Sequence, residues 1–352
     1  MKLTFPDYYK NFRCIADKCT DTCCAGWDVV IDGESLEYYQ NLGGDYGEKI
    51  RGLITVDGDG DSIFVSSCGR CPFLLGNGLC DMYIHIGHDN LSRTCRVFPR
   101  FVNSFGARAE TGLSLSCPEA ARLIFQNQNP LTLITEDTDG EIIPSDFDTE
   151  LYFTMLKVRK TAINILQNRK FSIVERLCAF LRYSEIVQDF VDFYEYENAE
   201  NISTDELFGK AEYSSARAKR ALKGIFRFFG TAEFINPDYA SIISSAETVD
   251  MQGFTADDIL IEHLAVYFFH RYYMTAVYDG RVLEKAIFAV LCTIVIMRIS
   301  ALENEEFQVA AQKFSKEIEH SSLNMEILIK AIRKSRYFSV ENLINILSEK
   351  EI

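Results

Sequence analysis

What this chain has least of is positive charge. Among 352 residues, 36 Lys and Arg stand against 51 Asp and Glu, a formal net charge of −15. No basic surface is implied that would neutralise phosphates, so nucleic acid is excluded as a partner. An acidic surface keeps a protein soluble, favours basic partners, and would attract a substrate presenting lysines. Long apolar runs are also missing. The longest, Ala286 to Met297, is too short to span a bilayer and reads as a buried core helix, so no membrane association is expected. The opening stretch Met1–Cys14 carries scattered aromatics and charges where a secretory signal would have an apolar core. These features predict a cytoplasmic protein. In that reducing compartment clustered cysteines are more often metal ligands than disulfides. Nor does any Gly-x-Gly-x-x-Gly loop follow a strand, which removes sequence support for a Rossmann-type cofactor site.

What is present is a globular composition, 47% hydrophobic, in a chain long enough for one large or two moderate domains. Eleven cysteines are spread unevenly: nine lie between Cys14 and Cys117, and only Cys178 and Cys292 come later, inside apolar helical patterns where thiols pack as small hydrophobes. Most glycines also fall early, with Gly43-Gly44, Asp57-Gly58-Asp59-Gly60 and Gly76-Asn77-Gly78 marking turns. A short strand at Ile63–Val65 and a hairpin from Arg100 to Ser116 fit between them. Residues 1–126 therefore read as a loop-rich, cysteine-rich, metal-binding region, and 127–150 as an acidic linker or surface excursion. From 151 to 352 the pattern is helical, with segments 151–168, 173–196, 213–229, 257–278, 281–302, 305–320 and 323–335 carrying apolar residues at helix spacing. Thr255-Ala256-Asp257-Asp258 resembles an N-terminal cap with acids in the first turn. The fold class expected is mainly α, with a few short strands. The first 150 residues hold 12 basic and 23 acidic side chains, the remainder 24 and 28, so the acidic excess lies mainly with the cysteines.

The cysteine spacing is Cys14-x4-Cys19-x3-Cys23-Cys24, then Cys68-x2-Cys71-x8-Cys80-x14-Cys95-x21-Cys117. Thiolates are soft ligands for zinc or iron–sulfur clusters, each site needing about four. Zinc sites favour paired knuckles, which only Cys68-x2-Cys71 and Cys19-x3-Cys23 approach. The adjacent pair Cys23-Cys24 suits a larger cluster or two neighbouring sites better than one tetrahedral zinc. Spacing favours iron–sulfur modestly and leaves zinc open. Other candidates are plainer. His85 and His88 lie between Cys80 and Cys95 and read as surface or hydrogen-bonded residues before metal ligands. Tyr8, Tyr9 and Trp27 read as packing around the metal site, Arg96 and Arg100 as charge compensation for it. His270-Arg271-Tyr272-Tyr273 places polar groups in an apolar helix, as a lined cavity would.

Three stretches, Phe12–Asp32, Cys71–Arg100 and Leu113–Leu123, resemble the flagellin lysine N-methylase family, the FliB-type proteins. The Cys71–Pro99 part also resembles a broader group of zinc- or iron-chelating domains, and Tyr267–Gly280 is similar to the helical half of the methylase family. The resemblance implies S-adenosylmethionine-dependent methyl transfer to lysines of flagellin, with a [4Fe–4S] cluster, or alternatively zinc, held by cysteines. The family pattern falls on Cys14, Cys19, Cys23, Cys24, Cys71, Cys80, Cys95 and Cys117, leaving Cys68 out. Eight thiolates exceed the needs of one cluster, so a second metal or a supporting role is expected for some. The radical-type Cys-x3-Cys-x2-Cys triad is absent. No catalytic base and no donor site announce themselves. The rival readings are a non-enzymatic metal carrier or assembly protein, which the chelating motif alone would suit, and an iron–sulfur redox enzyme, which needs a second cofactor site.

Overall fold

The computed structural model describes residues 1–67, 69–140, 146–209, 212–251, 254 and 256–351. It is mainly helical, with a small mixed sheet. Six strands are described: β1 (Lys2–Pro6), β2 (Ile54–Val56), β3 (Ser62–Phe64), β4 (Arg100–Phe105), β5 (Arg108–Leu113) and β6 (Leu133–Asp137). The main sheet has the order β4-β5-β1-β6, with β1 parallel to β5 and antiparallel to β6. The hairpin expected between Arg100 and Ser116 is β4–β5, pairing Phe105 with Arg108 across a two-residue turn. Gly106 takes φ +61° there, the left-handed conformation such turns require. The stretch 127–150 contributes the exposed strand β6, whose Lys2↔Asp137 and Lys10–Glu136 ion pairs tie it to the first ten residues. Residues 141–145 of that stretch lie outside the described residues, as does Cys68.

Five short helices belong to the cysteine-rich part: α1 (Gly33–Asn41), α2 (Gly44–Arg51), α3 (Asp81–Ile86), α4 (Arg93–Val97) and α5 (Pro118–Phe125). Local periodicity here promises no core, yet one forms. Val29, Ile31, Tyr39, Ile50, Phe64, Phe73, Met82 and Leu91 are buried together, with Cys71 and Cys80 packed against them. The contributors come from segments too far apart in sequence for any periodic signal to unite them.

Ten further helices are found among the described residues: α6 (Thr149–Leu166), α7 (Ile173–Asp192), α8 (Tyr196–Glu200), α9 (Ser215–Phe229), α10 (Tyr239–Ala246), α11 (Asp258–Tyr272), α12 (Val282–Glu303), α13 (Phe307–Phe314), α14 (Ser322–Lys334) and α15 (Val340–Leu347). Helix α12 is apolar on every face and lies at the centre, packed by α7, α10, α11, α13, α14 and α15. The run 286–297 was too short to cross a bilayer; the helix that contains it is longer, at 22 residues long and apolar enough to do so, but most of its surface is buried inside the fold. Caps set the starts. Ser172 and Glu175 form a reciprocal capping box on α7, and Asp257 accepts from the Ile259 amide to start α11, while Thr255 lies outside the described residues. The pattern over 257–278 continues past α11 as a 3₁₀ segment, Tyr273–Tyr278, and that over 305–320 turns into a π-helical segment, Ser315–Glu319.

Candidate functional site

Two places concentrate chemistry: the cysteine-rich layer with the π-helical turn beneath it, and a cleft at the opposite end of α14. In the layer, local backbone pairing positions the thiols. The Cys71 amide donates to the Cys24 carbonyl at 2.8 Å, Gly26 donates to Gly69, and Leu74 bridges to Cys80, so three cysteine segments are laced together by main chain. Cys80 and Cys117 each stand at the residue before a helix, α3 and α5, where first-turn amides point at their sulfurs. Asp32 joins α1 to α4, accepting from the Ser35 amide and hydroxyl and from the Arg93 amide, which brings Cys95 into the layer. Burial opposes the charge on Asp32, but these donors hold its carboxyl below the usual carboxylate range.

The eight cysteines singled out by sequence sort into two electrostatic neighbourhoods. Cys24, Cys71, Cys80 and Cys95 act on one another; Cys14 acts on Cys19, Cys23 and Cys117. Cys23 and Cys24 join the two, the Cys23 thiol donating to Cys24. That bond pulls Cys24 down to about 6 and pushes Cys23 well up. Burial raises Cys71 to about 12, and Cys95 and Cys117 to about 11. The donor chemistry suits a soft metal: thiols drawn from distant segments, none in a disulfide, most of them half-buried. The arrangement itself is open. Among the described residues no three His, Cys, Asp or Glu side chains stand close enough to hold a metal ion. Cys178 and Cys292 lie buried in the helical core, apart from this layer.

Beneath the layer the π-helical turn buries three charged side chains, Lys316, Glu317 and Glu319. Such turns insert an extra residue and rotate side chains out of register, and they recur at functional sites. Lys316 pairs with Asp21 at 2.5 Å and lies over the Trp27 ring at 5.3 Å. Gln312 spans Asp21 and the Ser116 carbonyl, at 2.8 and 2.9 Å. His320 stacks on Trp27 with ring centres 4.7 Å apart and meets the Ser116 hydroxyl through Nε2 at 2.6 Å. Burial of the ring, then Arg271 and Lys316, hold His320 down to about 4, so the imidazole is neutral at physiological pH. Glu319 accepts from the hydroxyls of Tyr267 and Tyr272 and from Arg271. Sequence reasoning passed over Lys316, Glu319 and His320 because a helical pattern gives no sign of a π turn.

Other sequence candidates take different places. Trp27 does pack at the layer, but Tyr8 is buried in the helical core and the Tyr9 ring meets Phe5. Arg96 bonds the Asp89 carbonyl and Arg100 lies over the Phe12 ring, while Arg70 is the cation beside Cys24. His85 stacks on Tyr46 at 4.2 Å with Nδ1 on the Asp81 carbonyl, and His88 faces Asp89 at the surface. Of the polar run 270–273, Tyr272 lines a small cavity of about 80 Å3 together with Phe288 and Met325, while its neighbours are taken up in hydrogen bonds. His270 bonds the Thr111 carbonyl, Arg271 the Ser114 and Tyr267 hydroxyls, and Tyr273 the Ser184 hydroxyl.

The cleft opens just beyond that run, between the ends of α6 and α7 and the Val277–Glu284 turn into α12. It encloses about 580 Å3 and is lined by Asp148, Asp192, Tyr194, Tyr196, Tyr278 and Arg333 among others.

The family model described as the FliB lysine N-methylase C-terminal domain matches residues 159–346, more than half of the chain. This chain belongs to the FliB lysine N-methylase family. The match covers the helical part, including the π turn and most of the cleft, whereas the cysteine layer precedes it. Lysine-N-methylases of Salmonella choleraesuis and Salmonella typhimurium are each 24% identical over 202 residues, 53% of this chain and 48% of theirs. The flagellar biosynthetic protein FliU of Salmonella muenchen is 27% identical over 143 residues, 37% of this chain and 81% of its own. The chain thus spans about half the length of the lysine-N-methylases it matches. No solved structure matches it.

Proposed function

We propose that the protein is an S-adenosylmethionine-dependent protein-lysine N-methyltransferase acting on flagellin, and that it carries an iron–sulfur cluster on cysteines of its N-terminal layer. The observation that carries the enzyme reading is the family match across residues 159–346. The relatives' names, lysine-N-methylase and flagellar biosynthetic protein, support lysine as the acceptor and flagellin as its bearer. The net charge of −15 suits a lysine-bearing substrate. The bound donor supplies an electrophilic methyl group. The chain's own residues must hold a lysine nitrogen in line with it and accept the proton that the ε-ammonium loses.

The cluster is supported by the gathering of Cys14, Cys19, Cys23, Cys24, Cys71, Cys80, Cys95 and Cys117 in one layer. Closing a site there requires the thiols to draw together on the metal, as metal-coupled folding does elsewhere. The experiment is incubation of anaerobically reconstituted protein with flagellin and S-adenosylmethionine. Intact mass should rise in methyl steps on lysine. Unmodified flagellin with cluster-loaded protein overturns the enzyme reading; colourless protein with stoichiometric zinc overturns the cluster.

A further inference from the structure

We infer that the cleft between the C-terminal end of α7 and the Val277–Glu284 turn is a docking site for a polypeptide, taking a lysine side chain into its acidic floor. The volume, about 580 Å3, falls within the ~300–1,000 Å3 typical of ligand sites. Its acids divide by partner. Glu284 takes Arg281 and Arg333, and Asp279 takes Lys285. Asp148 and Asp192 hold only neutral donors among the described residues: Asp148 the Tyr196 hydroxyl and the Leu151 amide, each at 2.9 Å, and Asp192 the Gln188 amide at 2.8 Å. Gln188 also bonds the Gly280 carbonyl and the Leu283 amide, which fixes the floor beneath them. Two exposed carboxylates beside the rings of Tyr194, Tyr196 and Tyr278 form a complement for an alkylammonium, which is held by charge and by the faces of the rings.

An independent observation at the rim points to a polypeptide and not a small molecule. Tyr194, which lines the cleft, is 79% exposed, and Phe193 beside it in the chain is 76% exposed. Tyr194, just past the end of α7, sits at φ +58°, a conformation aromatic residues rarely adopt. The segment Asp189–Glu200 carries five acids and no Lys or Arg. An acidic surface studded with solvent-exposed aromatics fits a basic, extended chain. The choice of lysine over arginine rests on the methyltransferase reading; the cleft and its charge do not.

The test uses the whole 352-residue chain and a short labelled peptide with one central lysine, alongside the same peptide acetylated on that lysine. Fluorescence anisotropy should show the acetylated form binding roughly three- to tenfold more weakly, and Asp192→Asn and Tyr194→Ala each weakening the lysine peptide by a similar factor. Both positions are exposed, and unchanged melting curves confirm that the variants fold. Equal affinity for the two peptides, or wild-type affinity in both variants, overturns the site. S-adenosylhomocysteine binding is followed in parallel: variants that lose it while keeping the peptide assign the cleft to the donor and overturn the inference. Methyl transfer to the peptide is a separate readout. Selective binding without transfer sustains the cleft and refutes the methyltransferase reading, so the two fail independently.

Discussion

Glu262 is 1% exposed and accepts from two guanidiniums, Arg176 at 2.5 Å and Arg169 at 2.8 Å. Arg176 is itself buried and also bonds the Leu166 carbonyl, so this carboxylate knits α6, α7 and α11 at one point. Removing one partner of such a pair leaves the other charge buried and unmatched, which costs about 3–5 kcal/mol. Glu262→Ala should therefore lower unfolding free energy by roughly that amount in urea titrations. The cysteines divide at the same scale. Cys292 is fully buried in α12, where its thiol behaves as a small hydrophobe. Cys292→Ser should destabilise by roughly 1–3 kcal/mol through an added hydroxyl while leaving metal content unchanged. Cys24→Ser and Cys95→Ser should do the reverse, lowering any bound metal per chain with the helical core intact. Metal analysis beside circular dichroism separates the two outcomes, and loss of metal from the Cys292 variant would contradict the division.

At the scale of elements, helix α9 meets the 3₁₀ segment Arg336–Phe338 without clearance. A methyl group at Gly224 would lie 2.2 Å from the Tyr337 ring, which a packed interface cannot absorb without moving the helix. Gly224→Ala should cost about 1–3 kcal/mol although alanine is the better helix former, and thermal melts should fall accordingly. The π turn poses a different question. Its Lys316 reaches across to Asp21, and Gln312 of α13 reaches the same carboxylate, so the Cys19–Cys24 loop is tied to the helical part at Asp21. Lys316→Met should loosen that loop without unfolding the core. Hydrogen exchange should rise within residues 19–24 and stay level in α12; equal protection in the loop would show that the anchor lies elsewhere.

For the whole molecule, acid stability near neutral pH follows from its histidines, joined by the Cys24 thiol, which its bond from Cys23 holds down at about 6 and which therefore loses its contribution over the same range. His263, His270 and His320 are all held below their ordinary value, first by burial. A histidine whose folded pKa is depressed binds its proton more readily in the unfolded chain. Its contribution is complete above the unfolded value, about 6.5, and is lost as pH falls below it. The melting temperature should accordingly drop between pH 7.5 and 5.5. Asp32 and Asp81, also lowered, act only at more acidic pH, below the usual carboxylate value, and so do not obscure this window. Replacing His270 by an isosteric neutral residue should flatten the drop. A pH-independent melting temperature across that range would refute the assignment.

Sequence alone determined the mainly helical class, the positions of the long helices from α6 to α14 and the burial of Cys178 and Cys292, because each is written in contiguous periodic residues. It also marked the eight early cysteines, since a thiol cluster needs no fold to be seen. Helices α10 and α15 and the strands β1 and β6 left no such mark; their patterns are short, and partners far along the chain stabilise them. Only the tertiary structure decided how the thiols divide between two neighbourhoods, because main-chain pairing of Cys24 with Cys71 and Leu74 with Cys80 sets that geometry. The same holds for the buried charges of the π turn and for the cleft. Lys316 and Glu319 look like solvent-facing residues in a helical pattern until one extra residue in the turn directs them inward. Asp148, Asp192 and Tyr278 meet only because the ends of α6 and α7 and the turn into α12 converge around one central apolar helix.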